Sequence, residues 1–308
     1  MNVAVGSDKR EEAIARLLAG AVDLHCHSGP SVMSRDLDHV EALRQAGAVK
    51  MSAVLIKDHY YSATPVTELL NDHFGQFGVK ALSGVPLNSA VGGFNIFAVE
   101  HGLKLGAVLV WMPTFSAANH INEHRKDSDF KNKFPQTKKK ALPPEPLTAL
   151  DDSRRLRDEI LPILDLIAEH DAVLSAGHLH IDEVWPLFEE ARKRGVNRLL
   201  VNHPPFVVNA TLEDMAKLAE MGVYMEHSMC MFVPGSKYKF WDSEELRDFI
   251  EAGTVDLTIL GSDLGQTGNP HPVEGFKDVI GKCLDLNYSE DDIRKLVSTN
   301  AKKLVGID

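Results

Sequence analysis

The chain has 308 residues, of which 44% are hydrophobic and 25% charged, so its composition is that of a globular protein rather than a disordered or fibrous one. A net charge of −11 argues against nucleic acid as a partner, because phosphate binding needs a basic surface. No apolar run reaches the ~18 residues of a membrane span, and the first twenty residues carry charges of both signs, so we expect no signal peptide, no membrane contact and a cytoplasmic location.

Short apolar runs alternate with amphipathic helical segments along the chain, which predicts parallel strands joined by helices. The predicted strands are Ala21–His25, Val49–Ile56, Lys80–Val85, Ala107–Met112, Ala172–Ala176, Arg198–Asn202, Val223–Glu226 and Asp256–Gly261. The predicted helices include Leu37–Gln45, Asp152–Glu169 with Asp151 or Ser153 as its cap, Ile181–Arg194, Leu212–Glu220 and Glu244–Glu251. Eight such units favour one domain, residues 1–308, folded as a (β/α)8 TIM barrel. A doubly wound sheet is the alternative, since periodicity does not give strand order.

Two segments interrupt this alternation, and we name them the first insertion (residues 114–148) and the second insertion (residues 229–241). Both follow strands, so in a barrel they would lie at the carboxyl end, where active sites are built. We interpret both as lids. A basic run in the first insertion, Lys138 to Lys140, is either lid surface or a solvated loop, and His120 and His124 are interpreted as lid surface.

The chain contains 14 histidines, and half of them lie at or just beyond the ends of predicted strands. On the first strand side chains alternate, so His25 and His27 should point to one side and Leu24 and Cys26 to the other. Two imidazoles on one inward face form a chelating pair for zinc or a similar metal.

Three later strands each end in a further ligand, namely His178, His203 and Asp263, which can complete a site of four or five ligands. We favour His178 over His180 because it follows its strand directly and the glycine before it permits close backbone approach. His227, on the seventh strand, is left open between a role in the site and a structural one.

The ordered set His25-x-His27, His178, His203 and Asp263 resembles the metal-binding set of the amidohydrolase superfamily, which consists of TIM-barrel metal-dependent hydrolases. The chain's ending, Asn300-Ala301-x-x-Leu304-x-Gly306, is similar to the closing motif of that superfamily. The resemblance covers nearly the whole chain. Further motifs place it closest to a branch of unassigned function: Lys57-Asp58-His59, Gly92-Gly93-x-Asn95, Trp111-Met112-Pro113-Thr114 and Gly177-His178.

Many binuclear members of the superfamily bridge two metals with a carboxylated lysine at the end of the fourth strand. Here that strand ends in Trp111-Met112-Pro113 and offers no lysine, so we expect one metal per chain. Lys57, at the end of the second strand, is an alternative bridge or a ligand for a substrate carboxylate. Zinc is the expected ion, with Mn, Fe, Co and Ni as alternatives, because such sites accept all of these.

The resemblance implies an enzyme: a divalent-metal-dependent hydrolase acting on a C–N or C–O bond (amide, cyclic amide, lactone or imine) of a small, carboxylate-bearing metabolite. A metal with an open position lowers the pKa of its water to about 7, and Asp263 would act as general base and then general acid. His59 and His227 are the side chains considered for stabilising the oxyanion.

Six residues on strand-to-helix loops or strand ends are candidates for substrate binding: Arg35, Lys57, Asn88, Asn95, Trp111 and Thr114. Arg35 and Lys57 suit a carboxylate, which arginine can hold through two parallel hydrogen bonds. Each of the two cations could equally belong to a surface salt bridge.

Three other functions remain open. The superfamily also contains metal-dependent decarboxylases with nearly the same ligands. Phosphoesterases of the polymerase-and-histidinol-phosphatase type also begin with His-x-His, but their last motif is Asp-x-His, whereas this chain has Asp263-Leu264-Gly265. A non-catalytic, ligand-binding barrel is the third. Apart from the small-molecule substrate, the only partner expected is a second copy of the chain, because a homo-oligomer is usual for such barrels.

Overall fold

The computed structural model describes residues 2–126, 137 and 142–308, with side chains described for 8–123, 137 and 142–308. Its eight strands are β1 (Val22–Cys26), β2 (Ala53–Ile56), β3 (Lys80–Pro86), β4 (Leu109–Trp111), β5 (Val173–Ser175), β6 (Arg198–Asn202), β7 (Tyr224–Ser228) and β8 (Thr258–Gly261). They form one parallel sheet in the order β1 to β8. The ring closes just past β8, where Leu264 bridges Cys26 and the Asp263 amide donates to the His25 carbonyl at 2.7 Å. The predicted (β/α)8 barrel is confirmed, and a doubly wound sheet is excluded.

Helices surround this barrel. They are α1 (Asn2–Leu18), α2 (His39–Ala48), α3 (Thr64–Phe74), α4 (Ile96–Lys104), α5 (Ala118–Lys126), α6 (Leu161–Glu169), α7 (Ile181–Lys193), α8 (Leu212–Glu220), α9 (Ser243–Gly253), α10 (Pro272–Asp285), α11 (Glu290–Arg294) and α12 (Asn300–Val305). Across the described part of the chain, no helix combines the length and hydropathy of a membrane span.

The predicted helix over Asp152–Glu169 is wrong in its first half. Helix α6 begins at Leu161, after a single 3-10 turn at Asp158–Ile160. Upstream, the Asp151 carboxylate accepts from the amides of Ser153 and Arg155 at 2.8 and 2.9 Å, which closes a turn instead of capping a helix. Pro162 lies in the first turn of α6, where its missing N–H costs no hydrogen bond.

Two apolar clusters hold the barrel together. Alternate strand side chains such as Leu55, Leu109, Trp111, Leu200 and Ile259 pack inside the barrel. A larger cluster fills the layer between the strands and the surrounding helices. Because the interior is filled by side chains, a ligand can reach polar groups only at the carboxyl ends of the strands.

Strand β1 breaks the strict alternation expected from its sequence. Its pairing with β2 shifts register between Asp23 and Cys26. Leu24 therefore packs in the interior cluster, on the same side as His25, whereas Cys26 packs in the outer cluster. A β-bulge of this kind re-aims the side chains that follow it. The predicted alternation is correct for Cys26 and wrong for Leu24.

Candidate metal centre

A cavity of about 530 Å³ opens at the carboxyl ends of the strands. All five predicted metal ligands line it: His25, His27, His178, His203 and Asp263. They come from the ends of β1, β5, β6 and β8, which are distant in sequence. The structure thus brings the predicted ligand set together in one place.

Three of these residues form the tightest group. One ligand atom each from His25, His203 and Asp263 lie within 4.8 Å of one another. His27 adjoins them, with its Nε2 atom 3.0 Å from Asp263 Oδ1. His203 and Asp263 adopt left-handed backbone, with φ of 45° and 49°. Non-glycine residues in this region cost about 1–3 kcal/mol each and occur preferentially at functional sites.

Burial sets the charge of this group. It lowers the pKa of His25 and of His203 to about 3, and that of His27 to about 4, so these imidazoles are neutral. Burial alone would raise the pKa of Asp263, but its contacts with His25 and His27 outweigh burial and hold that pKa well below its usual range. Neutral imidazoles beside an ionised carboxylate are the donors that zinc and related divalent ions prefer, so these residues fit such an ion.

Glu226, on β7, lies beside the proposed metal ligands. Glu226 is fully buried on β7, and its Oε1 atom lies 2.5 Å from Nδ1 of His25. Burial raises the pKa of Glu226 to about 7. A carboxylate on the far nitrogen of a metal-ligating histidine fixes the ring's tautomer and orientation.

His227, next to Glu226, points the other way. Its ring stacks on Phe249 of α9, with centroids 5.5 Å apart, and its side chain does not line the cavity. Neighbouring side chains on a strand face opposite sides, so Glu226 and His227 cannot both point inward. The alternation of side chains along β7 is the sequence signal that could have distinguished Glu226 from His227. It needs one residue of β7 whose inward direction is known.

Lys57 lies at the centre of the cluster. Its fully buried amine donates to Nε2 of His25 at 2.9 Å and lies 5.4 Å from the ring centroid of Trp111. Burial lowers the pKa of Lys57 to about 8. Trp111 packs inside the barrel beneath this amine and does not line the cavity.

His59 also faces the cavity, and two predicted substrate-binding residues hold it in place. Its Nδ1 atom lies 2.9 Å from Oγ1 of Thr114. The Asn88 amide donates to Thr114 Oγ1 and to the His59 carbonyl at 2.7 and 2.9 Å, and it accepts from the amides of Thr114 and Ser116. Asn88 and Thr114 therefore position His59 and do not line the cavity themselves.

Asn95 serves the fold rather than the cavity. Its side chain caps the first turn of α4, accepting from the amides of Phe97 and Ala98. The structure does not bring it together with the other predicted substrate-binding residues.

His178 contacts a residue of the first insertion. Its Nδ1 atom lies 2.8 Å from Nδ1 of His120, while its buried Nε2 makes no hydrogen bond to any described residue. The prediction that His120 is a surface residue is wrong, because it is buried against His178 and Phe115. The contact depends on α5, which sequence reasoning did not predict. The side chain of His124 and the run Lys138 to Lys140 lie outside the described residues.

The backbone at His178 explains why a glycine precedes it. Gly177 has a φ of 59°, and a Cβ there would lie 2.2 Å from the carbonyl oxygen of Met112. The His178 amide donates to the Pro113 carbonyl at 2.9 Å, which ties the end of β5 to the end of β4. His180 instead accepts from the Asp182 amide and caps α7, away from the cluster.

Both insertions contribute to the cavity lining. Phe115 and His120 come from the first insertion, and Cys230, Met231 and Tyr238 come from the second. Arg35, from the loop after β1, also lines the cavity. Both cations that were predicted to bind a substrate carboxylate, Arg35 and Lys57, therefore lie there.

This barrel, with histidines from β1, β5 and β6 and an aspartate from β8 around one cavity, shares its fold with solved amidohydrolase structures. The chain belongs to a family of unknown function, DUF6282, whose model matches residues 20–226. No curated protein matches its sequence.

Several solved structures share the fold. An amidohydrolase from Pseudomonas aeruginosa matches with a TM-score of 0.64 at 14% identity, covering 96% of this chain and 98% of that one. The probable dipeptidase PvdM from the same organism matches with a TM-score of 0.62 at 10% identity, covering 97% of both chains. An amidohydrolase from Burkholderia multivorans with bound zinc matches with a TM-score of 0.56 at 10% identity, covering 94% of this chain and all of that one. At these identities the likeness concerns the fold.

Proposed function

We propose that the protein is a divalent-metal-dependent hydrolase that cleaves a C–N or C–O bond, as in an amide, cyclic amide, lactone or imine, of a small carboxylate-bearing metabolite. The observation that carries the proposal is the group of His25, His203 and Asp263, whose ligand atoms lie within 4.8 Å of one another at the mouth of the barrel. The names of the similar structures, amidohydrolases and a dipeptidase, support hydrolysis as the reaction class.

His25, His27, His203 and Asp263 would hold the metal, with His178 on the same cavity wall as a further ligand. We propose one zinc ion per chain. An amidohydrolase from Burkholderia multivorans with a similar fold was solved with zinc bound. When bound, a divalent ion supplies Lewis acidity, which lowers the pKa of a water molecule and polarises a carbonyl.

The protein's own residues handle the proton. Asp263 is ionised, so its carboxylate can accept a proton from the attacking water and return it to the leaving nitrogen or oxygen. Gln266 donates to the Asp263 backbone carbonyl at 2.9 Å and helps to fix the loop that carries this carboxylate. His59 faces the same cavity and is the candidate for stabilising the oxyanion, whereas His227 does not reach it.

Metal analysis of a double variant tests the site. Wild-type protein should contain about one equivalent of a transition metal, and His25→Ala combined with His27→Ala should remove it while circular dichroism stays unchanged. A double variant of the exposed residues His73 and His101 is the matched control and should keep its metal. Full metal content in the His25/His27 variant contradicts the assignment.

A screen of amides, lactones, imines and 2-keto acids in ¹⁸O-labelled water then tests the reaction. Incorporation of one ¹⁸O atom into a product, dependent on the metal, is the expected result. Release of carbon dioxide without ¹⁸O incorporation would replace hydrolysis by decarboxylation.

A further inference from the structure

A buried arginine faces the cavity with unused hydrogen-bond donors. The Arg35 side chain is 4% exposed, and its Nε and Nη2 atoms make no hydrogen bond to any described residue. Its nearest carboxylate oxygen, Oδ2 of Asp58, lies 3.7 Å from Nη2, beyond hydrogen-bond distance, and is itself unpaired among described residues. Leaving a buried charged donor unpaired costs more than the about 1–3 kcal/mol of a neutral group, so such a group calls for a partner.

From this geometry we propose that Arg35 forms an anion subsite for the carboxylate of a substrate whose body is apolar and the size of a ring. This inference rests on the proposed function for the reaction that the substrate undergoes. The binding of a carboxylate at Arg35 does not itself depend on hydrolysis. The proposed substrate class is hydrophobic carboxylic acids, aromatic ones included.

The charges around Arg35 favour a carboxylate over a phosphate. Asp58 lies close enough to offset much of the guanidinium charge. Lys57, the other cation of the cavity, is engaged with His25 and does not add to the charge available at Arg35. Because the Arg35–Asp58 pair is close to neutral overall, it suits a singly charged carboxylate better than a doubly charged phosphate. The planar guanidinium also matches the two oxygens of a carboxylate.

The rest of the cavity is apolar enough to hold a ring. Met33, Phe206, Val207 and Met231 line it together with the polar cluster. Hydroxyl groups placed against these four side chains would lack hydrogen-bond partners.

One wall of the cavity is a column of flat side chains. His27, His59, Phe115 and His120 stack in that order, with centroid separations of 5.1, 3.6 and 4.8 Å. A planar ring can pack against the edges of such a column in the edge-to-face geometry that aromatic groups prefer. The wall links the metal cluster, through His27, to the first insertion, through His120.

Calorimetric titration with inert probes tests the subsite. The probes are benzoate, benzamide, acetate and phenylphosphonate. Each is titrated into the full-length wild-type protein, whose metal content has been measured, and into three variants: Arg35→Met, Arg35→Lys and the control Arg247→Met. Arg247 is an arginine of α9 whose ion pair with Glu244 lies at the surface. We expect benzoate to bind wild type and the control alike, and at least tenfold more tightly than acetate, benzamide or phenylphosphonate. Arg35→Met should lose at least tenfold and Arg35→Lys less, both with unchanged metal content.

Each other result overturns the proposal. Benzoate affinity that is unchanged in Arg35→Met would mean that the carboxylate binds elsewhere, for example on the metal. Equal affinity for benzamide would show that no anion subsite exists, and tighter binding of phenylphosphonate would reassign the subsite to phosphate. If benzoate did not bind, or if acetate bound as tightly as benzoate, the substrate would not have the apolar, ring-sized body that we propose. All these results leave metal content and hydrolysis untouched, so they are distinguishable from failure of the proposed function.

Discussion

The Nδ1 atom of His25 on β1 lies 2.5 Å from Oε1 of Glu226 on β7, two strands away around the barrel. Above its pKa of about 7 Glu226 is ionised, and because His25 is neutral, Nδ1 then carries the proton and donates it to the carboxylate. The lone pair of Nε2 then faces the cluster, where Lys57 and Asp263 lie 2.9 and 3.4 Å away. Glu226 thus orients a proposed metal ligand from inside the barrel.

Glu226→Gln tests this positioning role. An amide of the same shape can offer its NH₂ group as well as its oxygen to Nδ1, so the tautomer of His25 is no longer fixed. We expect metal affinity to fall by about 10- to 100-fold, the usual effect of losing such a partner. Competition with a chromophoric chelator measures the affinity, and ¹⁵N chemical shifts of His25 report the tautomer.

The control for this variant is Glu213→Gln, an exposed residue of α8 in a surface ion pair with Lys217. It should match wild type in both measurements. Unchanged metal affinity in Glu226→Gln, with the variant folded, would show that the carboxylate has only a structural role.

The sequence could predict the barrel and several residues that line its cavity, because both depend on local patterns. Strand β6 and helix α8 have the predicted bounds, since uninterrupted apolar residues define the strand and a capping box at Thr211 defines the start of the helix. His178, His203 and Asp263 lie within three residues of the ends of their strands, and parallel strands in a barrel place their carboxyl ends on one face.

Other features depend on which residue of a strand faces inward, or on contacts between residues that are far apart in sequence. Hydrophobic periodicity predicts neither of these. A shift of one residue along β7 decides whether Glu226 or His227 faces inward. The bulge in β1 puts two consecutive residues, Leu24 and His25, on the inner side. The contact between His120 and His178 spans 58 positions and depends on where α5 packs.

His120→Phe tests the contact between the first insertion and the metal cluster. The variant keeps a ring against Phe115 but leaves Nδ1 of His178 without its partner, so the free energy of unfolding should fall by about 1–3 kcal/mol. Urea denaturation measures the loss. His101→Phe, a substitution of an exposed histidine of α4, should leave the value within about 0.5 kcal/mol of wild type. Equal stability of His120→Phe and wild type would mean that this hydrogen bond contributes nothing.

Asn88→Ala tests the network that holds His59. The change removes four hydrogen bonds and leaves the amides of Thr114 and Ser116 unpaired in a buried site, so we expect a loss of about 3 kcal/mol. Asn197→Ala, an exposed position before β6, is the control and should have little effect. A loss below about 1 kcal/mol in Asn88→Ala, within the range of a single ordinary hydrogen bond, would contradict the role of Asn88 as the centre of the network.

The buried histidine His227 should make stability depend on pH. Burial lowers its pKa from 6.5 to about 4, so between these values the unfolded chain binds a proton that the folded protein does not. The stability that the neutral ring contributes is therefore present above pH 6.5 and is lost as the pH falls toward 4. Over that window the loss amounts to about 3 kcal/mol.

His227→Phe removes this proton uptake and keeps a ring against Phe249. Denaturation at a series of pH values between 7 and 4 should show that wild type loses about 3 kcal/mol more than the variant, with a difference that grows steadily below pH 6.5. The other buried histidines remain in both proteins, so both still lose stability in acid, and only the difference reports on His227. His101→Phe should run parallel to wild type throughout. Parallel curves for His227→Phe and wild type would mean that His227 titrates alike in the folded and unfolded states, which is incompatible with a neutral ring buried against α9.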